Sequence, residues 1–184
     1  MNKDKTVMWS ALAEKAWAKI KGSYDIADGG FVQTGLRSLT GVPVFSYKAV
    51  DIVDQTLADA AWLAMKNADT AGYYIGAGTA GAGNDQQTNV CGIAMSHAYS
   101  VISAFTLTAT NSTAYKVLLV RNPWGTTGYS STFNKDDEIW TQAGTKAQVP
   151  NGVDPTTDWN NGYFVIPISK FINAECFTDY QIAH

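Results

Sequence analysis

Apolar positions near the start of the chain recur at three- and four-residue steps, and they predict two amphipathic helices. The first helix is predicted over residues 8–21, and Gly22 provides a typical stop. Its apolar stripe consists of Trp9, Leu12, Ala13, Ala16, Trp17 and Ile20. The second helix is predicted over residues 49–67, with a stripe of Val50, Val53, Leu57, Ala60, Ala61 and Ala64. Both stripes are expected to face the core. Residues 23–41 are glycine-rich and predict a loop, with one helical turn at residues 34–39.

After Gly72 the pattern changes to short apolar runs of the kind that form strands. Strands are predicted at residues 73–75, 92–107, 115–120, 162–168 and 177–182. Two helices followed by about five or six strands predict an α+β fold, with two or three helices packed on a twisted antiparallel sheet. The long polar segment 125–161 is predicted to be a functional or poorly ordered loop.

Composition narrows the class of protein. The chain has 184 residues, of which 46% are hydrophobic and 16% charged, which excludes a disordered chain. That length predicts a single domain over residues 1–184. The net charge of −3 provides no basic stripe for nucleic acid or an anionic membrane. No apolar run approaches the length of a membrane span. Residues 1–7 lack the apolar core of a signal peptide and are predicted to be disordered or a boundary introduced by cloning.

The glycines and cysteines of the chain argue against two further classes, nucleotide-binding proteins and disulfide-rich proteins. The glycine-rich run 76–83 lacks the Gly-Lys-Ser/Thr ending of a phosphate-binding loop, which argues against nucleotide binding. Two cysteines, Cys91 and Cys176, are too few for a disulfide framework. They predict two reduced, partly buried thiols in a reducing compartment, and therefore an intracellular, cytoplasmic protein. The run Asn111-Ser112-Thr113 matches a glycosylation sequon and is interpreted as a polar turn.

Two residues combine into a candidate for catalysis. His97 stands among small residues, and Asn122 follows a predicted strand and precedes Pro123 and Trp124. The side-chain oxygen of such an Asn can accept the Nδ1–H of an imidazole, which leaves Nε2 to face a nucleophile. The Trp indole would cover that hydrogen bond from water. The alternative is a structural histidine, together with an Asx turn beside a core tryptophan.

The sequence around His97 and Asn122 resembles that of calpain-family cysteine proteases, which are distant relatives of papain. The resemblance rests on residues 96–101, which contain His97, and on residues 119–125, which contain Asn122. Further matching stretches are residues 9–24, the pair Gly29-Gly30, residues 39–41 and residues 161–171. They occur in the family's order, from about Trp9 to Ile182.

The resemblance implies one half of a papain-like protease core, a twisted antiparallel sheet or partial barrel that carries the His and the Asn. His97 would be the general base and acid, Asn122 would orient it, and Trp124 would shield the pair. Gly30, and less directly Gly29, would bond the substrate backbone. Ser96 occupies a further substrate-binding position, where the family usually has glycine.

The resemblance leaves the nucleophile unassigned in this chain. Cys91 lies six residues before His97 and Cys176 lies at a C-terminal strand edge, and neither has the surroundings of the family's catalytic Cys. We therefore expect a partner, the Cys-bearing half of the core, on an upstream segment or a second chain. The substrate would be a polypeptide, and this chain would be inactive alone.

The sequence leaves one question about metal binding. In animal calpains an acidic loop after the Trp helps to bind calcium, whereas this chain has Thr126-Thr127-Gly128-Tyr129. Asp136, Asp137 and Glu138 could supply oxygen ligands but are more typical of a solvated turn. No metal or cofactor is therefore predicted, with calcium as the alternative.

The chain could instead be a non-catalytic calpain-like interaction or regulatory module. It could also be an unrelated α+β domain, and in that case His97 and Asn122 would not approach within hydrogen-bond reach.

Overall fold

The computed structural model describes residues 8–27, 29–81, 84–172 and 175–184. The prediction for residues 1–7 lies outside them. The chain divides into two compact units, residues 1–31 and residues 32–184. Because the single-domain prediction concerns how these units associate, it stays a prediction.

The first unit contains α1 (Trp9–Lys21) and α2 (Tyr24–Ala27). Helix α1 confirms the first predicted helix, and it ends where the N–H of Gly22 donates to the carbonyl oxygen of Ala18 at 2.8 Å. Its apolar stripe was expected to be buried, and that is wrong. Trp9, Leu12 and Ile20 are exposed and Ala18 alone is buried in α1. Among residues 8–27 and 29–31 of the first unit, the stripe has the four-residue α2 as its one helical neighbour.

The second unit is an α+β arrangement, which confirms the predicted class. Its helices are α3 (Val32–Thr40), α4 (Gln55–Thr70) and α5 (Ile168–Phe171). Its strands are β1 (Val44–Lys48), β2 (Tyr74–Gly78), β3 (Ala98–Thr108), β4 (Ala114–Arg121), β5 (Tyr163–Pro167) and β6 (Asp179–Ala183). They form one six-stranded sheet in the order β1-β6-β2-β3-β4-β5. Every neighbouring pair is antiparallel.

Several predicted boundaries were wrong. Helix α3 contains the predicted helical turn at residues 34–39 but is longer, whereas helix α2 and strand β1 occupy a region interpreted as loop or left unassigned. Helix α4 begins only at Gln55, because the Asp54 carboxylate accepts the N–H of Leu57 at 2.8 Å and caps the helix. Strand β3 begins at Ala98 rather than at residue 92.

The predicted apolar stripe of the second helix was also wrong in part. Val50, Val53 and Leu57 are exposed. The buried positions of α4 are Ala58, Ala61, Met65 and Ala68. Three of these four side chains are alanines, which let the helix approach the sheet closely.

Hydrophobic residues cover both faces of the sheet and form two clusters. The first core joins α4 to one face through residues such as Met65, Tyr99, Val120, Phe164 and Ile182. The second core joins the other face to the long segment after β4, through residues such as Leu107, Leu119, Phe133, Trp140 and Val149. Alternate residues of β4 enter opposite cores because successive strand side chains point to opposite faces.

The two cysteines form a disulfide bond, so the prediction of reduced thiols is wrong. Cys91 and Cys176 are 85 residues apart in sequence, and both are buried in the first core. The amide of Asn89 donates to the carbonyl oxygen of Cys176 at 2.9 Å and holds the two segments together beside the bond. The intracellular location stays a prediction, and it loses the support that reduced thiols provided. No described helix has both the length and the apolar character needed to cross a membrane.

Candidate active site

His97 is the residue immediately before β3, and its backbone is anchored by the residue that follows β2. The N–H of Thr79 donates to the carbonyl oxygen of His97 at 3.0 Å. The N–H of His97 in turn donates to the Thr79 hydroxyl oxygen at 3.0 Å. The imidazole is half-buried.

Asn122 immediately follows β4 and is almost fully buried, with 4% of its surface exposed. Its N–H donates to the carbonyl oxygen of Gly162 at 2.9 Å, and its own carbonyl oxygen accepts the N–H of Gly125 at 3.1 Å. Gly162 has φ +88°, and a Cβ there would overlap the Asn122 carbonyl oxygen. Glycine is therefore required at this close approach, which fixes the end of β4 against the start of β5.

The two side chains meet directly. His97 Nε2 and Asn122 Oδ1 are 2.9 Å apart. The same oxygen accepts the N–H of Trp124 at 3.0 Å, which holds the amide in one orientation. The expected assignment of the ring nitrogens was wrong, because Nε2 and not Nδ1 faces the amide oxygen.

Aromatic rings surround the imidazole on two sides. The Trp124 ring lies over it, with ring centroids 4.2 Å apart and a tilt of 40°, while the indole itself is half-exposed. The Tyr99 ring packs edge-on against it at 5.0 Å. Burial raises the pKa of the Tyr99 hydroxyl well above its usual range, so this group stays protonated and donates to the carbonyl oxygen of Ala94.

The predicted substrate-binding residues are exposed. Ser96 adjoins His97 and has φ +47°, in the left-handed region that favours glycine. Its hydroxyl lies 3.4 Å from the carbonyl oxygen of Gly81. Gly29 and Gly30 belong to the first unit, between α2 and α3, and are exposed there.

A groove of about 570 Å³ opens beside the pair. Its lining includes Ala98, which follows His97, and Pro123, which follows Asn122. The lining also contains Leu36 and Leu39 of α3 together with Tyr74 of β2. The groove is mainly apolar and could take a hydrophobic side chain.

Two of the three acidic residues considered for calcium, Asp136 and Asp137, have protein partners. Asp136 forms an ion pair with Lys135 at 2.6 Å. The carboxylate of Asp137 accepts the N–H groups of Phe133 at 2.9 Å and Ile139 at 3.0 Å. Across the described ranges, no group of three or more His, Cys, Asp or Glu residues could hold a metal ion.

Thr79 and Tyr99 were missed by the sequence analysis. Thr79 contacts His97 through hydrogen bonds between the end of β2 and the start of β3. Tyr99 contacts the His97 ring by edge-on packing, and no local motif marks either residue. Thr79 is the single polar side chain in the glycine-rich run 76–83, but nothing local indicates what it binds, and Tyr99 resembles any other strand aromatic.

The chain is similar to known proteases along its whole length. The sequence profile described as "Calpain family cysteine protease" matches residues 1–184. The chain is 26% identical over 195 residues to calpain-5 from Caenorhabditis elegans, covering 95% of this chain and 30% of that protein. It is 26% identical over 170 residues to the calpain-2 catalytic subunit from Homo sapiens, covering 89% of this chain and 22% of the relative.

A calpain-type cysteine protease from Oryza sativa subsp. japonica is 29% identical over 142 residues, covering 73% of this chain and 6% of the relative. The chain therefore spans less than a third of the length of each of these three proteins.

Proposed function

This chain belongs to the calpain family of cysteine proteases, and on that premise we propose that it supplies the His and Asn of a cysteine endopeptidase core. His97 acts as general base and acid, and Asn122 orients its ring. The observation that supports this most directly is the 2.9 Å contact between His97 Nε2 and Asn122 Oδ1. An unrelated domain that shared these motifs by chance would have no reason to bring the two side chains together.

The geometry suits proton transfer at Nδ1. Asn122 Oδ1 accepts a hydrogen bond from Nε2–H. The neutral imidazole therefore has its unprotonated nitrogen, with the free lone pair, at Nδ1. Nδ1 takes the proton of a thiol, and the resulting thiolate attacks the carbonyl carbon of a peptide bond. Nδ1–H then protonates the leaving amine as the C–N bond breaks, which leaves a thioester. A water molecule gives a proton to Nδ1 and attacks the thioester, which releases the carboxylic acid and the thiol.

The thiol comes from outside this chain. Cys91 and Cys176 are bonded to each other, with 2% and 1% of their surfaces exposed. Neither offers a thiolate in this state. We propose that the nucleophile belongs to a Cys-bearing half, on an upstream segment or a second chain, and that this chain is inactive alone. The substrate is a polypeptide. Ser96, beside His97, is proposed to contact its backbone, and so, in the first unit, are Gly30 and Gly29.

Reconstitution tests this proposal. The chain is combined with its Cys-bearing half, and cleavage of a fluorogenic peptide is measured for the unchanged chain, His97→Ala and Asn122→Ala. His97→Ala is expected to lower kcat/KM by at least about 10³-fold and Asn122→Ala by about 10²-fold, because the first removes the proton acceptor and the second only its orientation. Unchanged cleavage by His97→Ala would overturn the proposal, and so would thiol-dependent cleavage by the chain alone.

A non-catalytic interaction module is the second candidate, and it is favoured by the buried disulfide, which leaves this chain without a free thiol. It predicts that the natural partner segment has a residue other than Cys at the nucleophile position. Reconstitution would then give a stable complex without peptidase activity.

A further inference from the structure

Thr79 holds two backbone positions before β3 through one hydroxyl group. The hydroxyl accepts the N–H of His97 at 3.0 Å and donates to the carbonyl oxygen of Ala94 at 2.7 Å. It also lies 3.2 Å from the carbonyl oxygen of His97, but its one proton serves the shorter bond. The side chain is 6% exposed, so water does not replace these bonds readily. A single side chain therefore joins both ends of residues 94–97.

The chain before β3 has little regular pairing of its own. β3 begins at Ala98, and the nearest earlier pairing is an isolated bridge between Thr88 and Ala94. The backbone of His97 consequently depends on Thr79 for both its N–H and its carbonyl partner. A buried donor left without a partner is unfavourable, so loss of the hydroxyl would shift the backbone toward other partners.

That backbone determines where the imidazole lies. Asn122 is fixed separately, at the end of β4, by its own bonds to Gly162 and Gly125. The bond between Nε2 and Oδ1 forms only if the His97 backbone is placed correctly relative to this independent anchor. We propose that Thr79 is a positioning residue, whose hydroxyl holds the His97 backbone so that Nε2 meets Asn122 and Nδ1 faces the thiol.

The inference rests on the proposed function, because positioning matters to catalysis only if His97 transfers protons. It is tested first in the 184-residue chain, by ¹H–¹⁵N spectra of the histidine rings. Thr79→Val removes the hydroxyl at nearly constant volume, and Thr79→Ser retains it. Thr79→Val is expected to abolish the slowly exchanging Nε2–H signal of His97, and Thr79→Ser to restore it. The ring of His184 provides a reference within the same spectrum.

Thr145→Val is the matched control. Thr145 is also fully buried, and its hydroxyl lies 2.6 Å and 2.9 Å from the carbonyl oxygens of Ile139 and Gln142. It belongs to the long segment after β4 and has no bond to His97. Its loss is expected to lower stability while the His97 signal stays unchanged. If Thr79→Val does not fold, Thr79→Ala is measured instead, with the same expected loss of the Nε2–H signal.

In the reconstituted enzyme, Thr79→Val is expected to lower kcat by about 10- to 100-fold with KM changed less than about threefold, because small misplacements of a reacting group have effects of this size. An unchanged His97 signal or kcat in the Thr79 variant would overturn the inference and leave the proposed function intact. An equal change in Thr145→Val would also overturn it. Absence of the Nε2–H signal in the unchanged chain would instead count against the proposed function.

Discussion

Two irregular segments meet at the candidate site, and they are held in place by different means. The first, residues 84–97, ends in His97 and is attached by the disulfide at Cys91 and by side-chain bonds from Asn89 and Thr79. The second, residues 122–162, begins with Asn122 and packs its own side chains into the second core. We call them the His97 segment and the Asn122 segment.

The difference follows from length and composition. The Asn122 segment is long enough to form four 3₁₀ turns and to bury large side chains such as Phe133, Ile139 and Trp140. The His97 segment is short and buries small or medium side chains such as Ile93 and Ala94. Because hydrophobic stabilisation grows with buried area, the short segment depends on a covalent bond and on polar contacts. His97 and Asn122, the two partners of one hydrogen bond, are therefore sensitive to different perturbations.

Loss of the disulfide is expected to have the largest effect on stability. A bond that closes a loop of 85 residues stabilises a fold by about 4–5 kcal/mol, because it restricts the unfolded chain. Denaturant unfolding of the oxidised chain and of Cys91→Ala/Cys176→Ala would measure this loss.

Amide hydrogen exchange under native conditions locates the same effect. Amides that exchange through global unfolding should accelerate in both segments, because the free energy of unfolding falls, and the His97 segment should accelerate more because it also loses a local attachment. Equal acceleration in both segments would contradict the comparison.

The substitution Trp140→Ala should destabilise the Asn122 segment. Trp140 is buried in the second core, and its indole N–H donates to the carbonyl oxygen of Asn134 at 2.8 Å. Removing it is expected to lower the free energy of unfolding by about 3–5 kcal/mol, through lost packing and a cavity. Exchange should accelerate in residues 129–153.

Trp124→Ala provides the matched control for this variant, because Trp124 is half-exposed and lies over His97. It is expected to change stability by less than about 1 kcal/mol and to alter the His97 ring signal instead. A ring signal altered by Trp140→Ala and not by Trp124→Ala would contradict this assignment.

Alkaline pH should weaken the first core before the second. Tyr99, Tyr129 and Tyr180 all belong to the first core, and burial raises the pKa of each, that of Tyr180 to about 12. A tyrosine in the unfolded chain ionises near pH 10. Stability is therefore complete below pH 10 and falls as the pH rises from 10 toward 12. Tyrosinate absorbance and unfolding midpoints measured at pH 9, 10 and 11 would show the decline; a constant midpoint would oppose it.

Ser96→Gly is expected to have the smallest effect, and it should be stabilising. Ser96 has φ +47° and Ser112 has φ +66°, so glycine relieves strain at both positions. We expect a gain of about 0.5–1 kcal/mol for each variant in thermal unfolding. Only Ser96→Gly should change the rate of amide hydrogen exchange in the His97 segment, because Ser112 lies in the turn between β3 and β4. A loss of stability in Ser96→Gly alone would show that its side-chain bonds outweigh the strain.

Local patterns predicted most of the longer regular elements and missed some of the shorter ones. The period of α1 and the apolar run of β4 were identified because both reflect residues close in sequence. Strand β1 was missed because it pairs with β6, more than 130 residues away in the chain. In the site, His97 and Asn122 could be selected because each stands in a recognisable local motif. The contact between them and the contribution of Thr79 depend on neighbouring strands.

The sequence by itself determined the α+β class, the family and the identity of the His–Asn pair, since these follow from periodicity and from short ordered motifs. The tertiary structure alone decided that Cys91 bonds Cys176, that Nε2 faces Asn122, and that Thr79 holds His97. Side-chain patterns report local backbone preference, whereas these contacts join segments far apart in the chain. Many such pairings agree equally well with local preference, and only the packing of the complete sheet selects among them.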